Sequence, residues 1–145
     1  MEQRVSLVTL GVADVHRSFS FYEALGWHGQ EVEGTVFFQA GGQAVVLWSR
    51  ELLAVDCGIT DDANARFSGV ALAHNVRSRP EVDSVIAAAD AAGAEVTKPA
   101  ADTFYGGYAG YFRDPDGHVW EVAFNPGFTL SATGELILPD FGSGK

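Results

Sequence analysis

Val5-Ser6-Leu7-Val8-Thr9-Leu10-Gly11-Val12 is rich in β-branched residues and reads as a strand, with Ser6, Val8, Leu10 and Val12 on one face. Asp14 then offers a helix N-cap. Val15, Phe19, Tyr22 and Leu25 follow at helical spacing, and Gly26 suits the position just past the helix end. The same order returns later. Residues 70–76 form a second such strand, Pro80 suits the first turn of a helix, Val82, Val85, Ile86 and Ala89 make its apolar stripe, and Gly93 closes it. After the first helix come strand-like residues 35–39 and 44–49, split by Gly41-Gly42. After the second come 94–97, 108–113 and 118–124, with a turn at Asp114-Pro115-Asp116-Gly117.

A unit of this length repeated twice is a duplicated supersecondary motif, not a solenoid. The fold expected is α+β: two tandem βαβββ modules, each a curved antiparallel sheet with one helix on its back, enclosing a concave cavity. The first module spans 1–49 and the second 69–126. Residues 50–68 read as an irregular linker, and 127–145 as an extended tail with one apolar run, Leu136-Ile137-Leu138.

Composition narrows the function. With 145 residues, 47% hydrophobic and 19% charged, the chain is long enough for a substantial core and shows no signature of disorder. Apolar runs reach about five residues, against the ~20 a membrane-spanning helix needs. Met1-Glu2-Gln3-Arg4 leads straight into strand-like residues without a secretory h-region. A single cysteine, Cys57, leaves no intramolecular disulfide framework, so a cytoplasmic location is expected. Nine basic against nineteen acidic residues give a net charge of −10 with no basic stripe, which argues against nucleic-acid binding. The same charge favours solubility and attracts cations.

Asp114-Pro115-Asp116-Gly117-His118-Val119-Trp120-Glu121, with Leu10-Gly11-Val12-Ala13-Asp14 and Phe21-Tyr22-Glu23-Ala24-Leu25-Gly26, resembles the vicinal oxygen chelate superfamily of glyoxalases, bleomycin-resistance proteins and extradiol dioxygenases. The likeness covers about residues 4–126. It is greatest to the uncharacterised glyoxalase-like members, through residues 73–79 and Phe104-Tyr105-Gly106-Gly107-Tyr108. The resemblance implies a divalent metal held by four side chains from equivalent strand positions, and often a homodimer whose second chain completes the groove. Here those four positions hold Leu7, Val46, Ala71 and Glu121. Three hydrocarbons and one carboxylate do not make a donor set for a borderline or hard cation, so no metal or other cofactor is expected. One divalent ion near Glu121, held with waters, is the alternative.

Strand parity assigns the faces. Leu7, Thr9 and Gly11, Ala44, Val46 and Trp48, Ala71, Ala73 and Asn75, and Val119, Glu121 and Ala123 face the concavity. The opposite parity, including His74, packs under the helices. Glu121 is the pivotal residue: a carboxylate on a mostly apolar surface calls for a cation or a donor. Arg113 or Arg50 would be a purely structural partner. Thr9, Phe37, Trp48, Asn75, Tyr105 and Tyr108 are the other expected ligand contacts, with Trp48 able to stack on a planar group or sit over a cation. The reading is a protein that binds a small cationic or planar organic molecule without a metal. The alternative is a metal-independent isomerase or lyase using Glu121 as general base, alone or with Tyr105 or Tyr108. A metal-dependent glyoxalase or dioxygenase comes third.

Overall fold

The computed structural model describes residues 1, 3, 5–62, 67–68, 70–139 and 141. The first module runs β1 (Leu7–Val12), α1 (Val15–Ala24), β2 (Gly29–Val32), β3 (Thr35–Ala40) and β4 (Gln43–Ser49). After α2 (Arg50–Cys57), the second runs β5 (Ala71–Asn75), α3 (Arg79–Ala91), β6 (Glu95–Asp102), β7 (Tyr108–Arg113) and β8 (Val119–Phe124). The strand orders are β1-β4-β3-β2 and β5-β8-β7-β6, so the duplication holds at the level of topology.

The expected antiparallel sheets are mixed. β1 pairs with β4, and β5 with β8, in parallel. The helix crossover restores the starting direction, and two hairpins reverse the chain twice more, so the fourth strand returns beside the first and runs with it.

The helix ends follow the sequence signals. Asp14 accepts from the Arg17 amide at 3.0 Å and Ser78 caps α3 through Glu81 N, with Pro80 in the first turn. Gly26 and Gly93, just past α1 and α3, take φ of +91° and +104°, the left-handed conformation that glycine adopts without a Cβ clash.

Both helices cover the same side of the two sheets. Leu10, Val12, Val45, Leu47, Val76, Trp120 and Val122 belong to one core cluster there, with Val8, Leu72 and Phe124 packed against it, as parity requires. Each fully buried aliphatic side chain, such as Val36, Leu47 or Val122, contributes about 1.5–3 kcal/mol. Helix α1 joins the modules. Phe21 packs on Phe112 at 6.4 Å between ring centroids, and Tyr22 and Trp27 lie 6.2 and 5.7 Å from Trp120.

Polar contacts fix the same junction. The buried Tyr22 hydroxyl donates to Asp114 Oδ2 at 2.7 Å and accepts from Trp120 Nε1 at 3.1 Å. Asp114 Oδ1 takes the amides of Asp116 and His118, which forms the Asp-Pro-Asp-Gly turn. Asp116 Oδ1 then accepts from Ala13 N and Arg17, and His118 Nε2 bonds the Gly11 carbonyl. The turn of the second module is thereby tied to the start of α1 in the first.

Three stretches differ from the sequence reading. Residues 50–57, expected to be irregular, form α2, with Ser49 as N-cap and Gly58 at φ +68° past its end. None of its residues is fully buried, and at eight residues it is too short for a helical period to stand out. Gly29–Val32 is an additional strand on the edge of the first sheet. β6 extends through Lys98 and Pro99 to Asp102, an edge strand whose irregular register with β7 accommodates a proline. The tail contributes a two-residue ladder, β9 (Thr129–Leu130) with β10 (Leu136–Ile137), and Leu136, Ile137 and Leu138 stay exposed.

Candidate functional site

The faces turned away from α1 and α3 carry the site. On the second sheet, register places Lys98 opposite Tyr111, Tyr111 opposite Glu121, and Glu121 opposite Ala73. One row across four strands therefore reads Lys98–Tyr111–Glu121–Ala73. The equivalent row of the first sheet reads Gln30–Phe37–Val46–Thr9. The duplication thus gives one row with two charges and an equivalent row with none.

Glu121 is half-buried. Neither arginine considered as its partner goes there: Arg113 pairs with Glu95 at 3.7 Å and Arg50 with Asp61 at 2.7 Å. Its neighbour is Tyr111. Burial, and then the charge and hydrogen-bonding reach of Glu121, hold the Tyr111 phenol above its ordinary pKa, so Tyr111 remains a proton donor beside the carboxylate. Lys98 Nζ lies 5.9 Å from the centre of the Tyr111 ring. Tyr105 is close enough to Tyr111 to affect its ionisation and is 38% exposed. The loop carrying it needs glycine: a Cβ at Gly107 would stand 2.4 Å from both the Phe124 carbonyl and the Tyr105 ring.

The remaining expected residues divide by face. Thr9 and Phe37 flank Val46 on the first sheet, and Phe37 is 42% exposed there. Trp48 shares that parity and is half-buried. Asn75 lies one pleat beyond Ala73 and lines a cavity of about 300 Å³ with Arg77, Phe124, Asn125 and Phe128. Tyr108 is on the other side: its parity is that of Phe112, it packs against the core, and its hydroxyl donates to Asp83 on α3 at 2.8 Å. The sequence reading had placed Tyr108 at the ligand. Its phase on β7 is set by the buried Phe112 and turns it to the helix side.

Lys98 and Tyr111 complete the row. Tyr111 lies on a segment that the sequence puts at the rim of the cavity, and its alternation with the core residue Phe112 fits that place, whereas Lys98 was outside the expected contacts. Lys98 was hidden by Pro99, which truncates the strand pattern of β6. His74 lies as parity requires on the helix side, in an aromatic cavity of about 200 Å³ with Tyr22, Trp27, Phe112 and Trp120. Burial lowers its pKa and the charge of Glu81 opposes this.

The metal that the resemblance implies does not fit these residues. Leu7, Val46 and Ala71 carry no donor atom, and among the described residues no group of three or more His, Cys, Asp or Glu side chains could hold an ion. No step below is routed through one.

The sequence profile of the Glyoxalase/Bleomycin resistance protein/Dioxygenase superfamily matches residues 4–122, and the chain belongs to that family. A glyoxalase-related enzyme from Fulvimarina pelagi is 37% identical, with a TM-score of 0.87 over 94% of this chain and 99% of that one. A glyoxalase/bleomycin resistance protein/dioxygenase from Nocardioides is 25% identical, with a TM-score of 0.70 over 90% and 91%. A lactoylglutathione lyase from Agrobacterium tumefaciens, 23% identical, shares the fold with a TM-score of 0.65 over 86% and 95%. No curated protein matches the sequence significantly. Among the described residues no helix is long and apolar enough to cross a membrane.

Proposed function

We propose that this chain binds a small cationic, planar organic molecule on the open sheet faces, held directly by Glu121 with no metal between them. The observation that carries the reading is the Lys98–Tyr111–Glu121–Ala73 row: among the described residues its carboxylate has no arginine partner, and its counterpart row, Gln30–Phe37–Val46–Thr9, carries no charge. A carboxylate beside an aromatic ring is suited to an ammonium on a flat body. Members of this family often form dimers and bind small molecules. We assign the working unit as a homodimer, since Leu7 and Phe37 leave 48% and 42% of their surface uncovered on the open face. A cytoplasmic location belongs to the same proposal, because an exposed free Cys57 suits a reducing compartment.

The test is a titration with benzylamine, followed by amide chemical shifts in wild type and Glu121→Gln. Expected are shifts at Ala73, Tyr111 and Glu121, and at least about a tenfold loss of affinity in the variant, the weight of one charged contact. Equal affinity in both proteins overturns the reading.

The adjacency of Tyr111 and Glu121 favours one second reading, a metal-independent isomerase- or lyase-type reaction. Glu121 would take a proton from the carbon beside a carbonyl while the neutral Tyr111 phenol donates to the carbonyl oxygen. The Fulvimarina pelagi relative, described as an enzyme, supports this alternative. A Glu121→Ala protein that retains turnover excludes it.

A further inference from the structure

Lys98 stands out in the charge pairing of this molecule. The chain carries nineteen acidic residues against nine basic ones. Arg17, Arg50, Arg79 and Arg113 pair with Asp116, Asp61, Asp102 and Glu95, and Arg77 donates to the Ser131 carbonyl. Lys98 makes no ion pair among the described residues. It is exposed and leans over the Tyr111 ring, in the same row as Glu121.

Two charges of opposite sign therefore flank one phenol, and the other charges of that face, Arg113 and Glu95, pair with each other. Lys98 and Glu121 lie two strands apart, about 10 Å between backbones. A flat body laid over Tyr111, with Lys98 swung off the ring, would have one polar group reaching towards each side chain. A ligand bearing only a positive charge would use Glu121 and leave Lys98 with the Tyr111 ring alone.

We propose that the ligand is zwitterionic: an amine directed to Glu121, a carboxylate directed to Lys98, and an unsaturated body over Tyr111. This rests on the reading of the open face as a binding site and narrows it to one ligand class. Lys98 acts here as a specificity residue, because opposite charges at two ends select orientation as well as composition.

Amide-shift titrations with 4-(aminomethyl)benzoate, benzylamine and benzoate on wild type, Lys98→Met and Glu121→Gln test it. Both substituted side chains lie on a sheet face outside the core cluster, so both variants keep the fold. The zwitterion is expected to bind at least about tenfold more tightly than either single-charge probe. Lys98→Met should bring it down to the affinity of benzylamine, and should not weaken benzylamine itself, because it removes a like charge from the ammonium. Glu121→Gln should weaken the zwitterion and benzylamine but not benzoate. If Lys98→Met leaves the ratio of zwitterion to benzylamine affinity intact while Glu121→Gln still weakens both, this inference fails and the underlying site stands. If Glu121→Gln changes nothing, or no probe shifts the row, both fail.

Discussion

Replacing Tyr22 by Phe removes one oxygen from the junction between the modules and leaves the packing unchanged. That hydroxyl is buried, donates to Asp114 and accepts from Trp120 Nε1. A hydrogen bond to a charged group is worth about 1.5–3 kcal/mol, and a buried donor left unpaired costs about 1–3 kcal/mol. Asp114 keeps the amides of Asp116 and His118, so the carboxylate is not stripped of partners and the lower halves of these ranges apply. The expected loss is about 3 kcal/mol. At this chain length that lowers Tm by roughly 6–12 °C. Urea unfolding followed by tryptophan fluorescence measures it, since Trp27 and Trp120 both adjoin the Tyr22 ring. The midpoint should fall with the slope unchanged, because the same surface is exposed on unfolding. A loss below about 1 kcal/mol would show that the hydroxyl does not couple the modules and would refute the reasoning.

Gly107→Ala drives a Cβ into the Phe124 carbonyl and the Tyr105 ring, and should cost roughly 2 kcal/mol or more in a thermal melt while shifting the Tyr105 resonances. Phe37→Ser should leave stability within about 1 kcal/mol of wild type, its ring being 42% exposed, yet weaken benzylamine binding in the same titration. Tyr111 should ionise above 10.0 when its ring carbon is followed by NMR, and Glu121→Gln should bring that midpoint down by removing a negative charge. Because the folded phenol is raised, its contribution to stability is complete below pH 10 and is lost as pH climbs through the folded value.

Much of the architecture was legible because period and phase are printed in the strands. Val12, Leu47, Val76 and Val122 alternate with Gly11, Trp48, Asn75 and Glu121, and one buried residue per strand fixes which way all its neighbours point. The same rule puts His74 on the helix side and Glu121 on the open face. It would also have turned Tyr108 inward, had its phase been taken from Phe112. What was not legible lacked such a buried marker. Helix α2 has no fully buried residue and is only eight residues long, too few for a period to show. Strand β6 lies at a sheet edge with an irregular register, where Pro99 is tolerated, and Lys98 disappeared with the end of the strand. The Tyr22–Asp114–Trp120 contact spans about ninety residues of chain, a distance no local pattern reports.

The direct test of the central claim is benzylamine binding to wild-type protein before and after dialysis against excess EDTA, with metal content measured on the same samples. A carboxylate that meets the ligand itself predicts identical affinity in both, lost only in Glu121→Gln. Affinity that disappears with EDTA and returns on adding back Zn²⁺, Ni²⁺ or Mg²⁺ would contradict it.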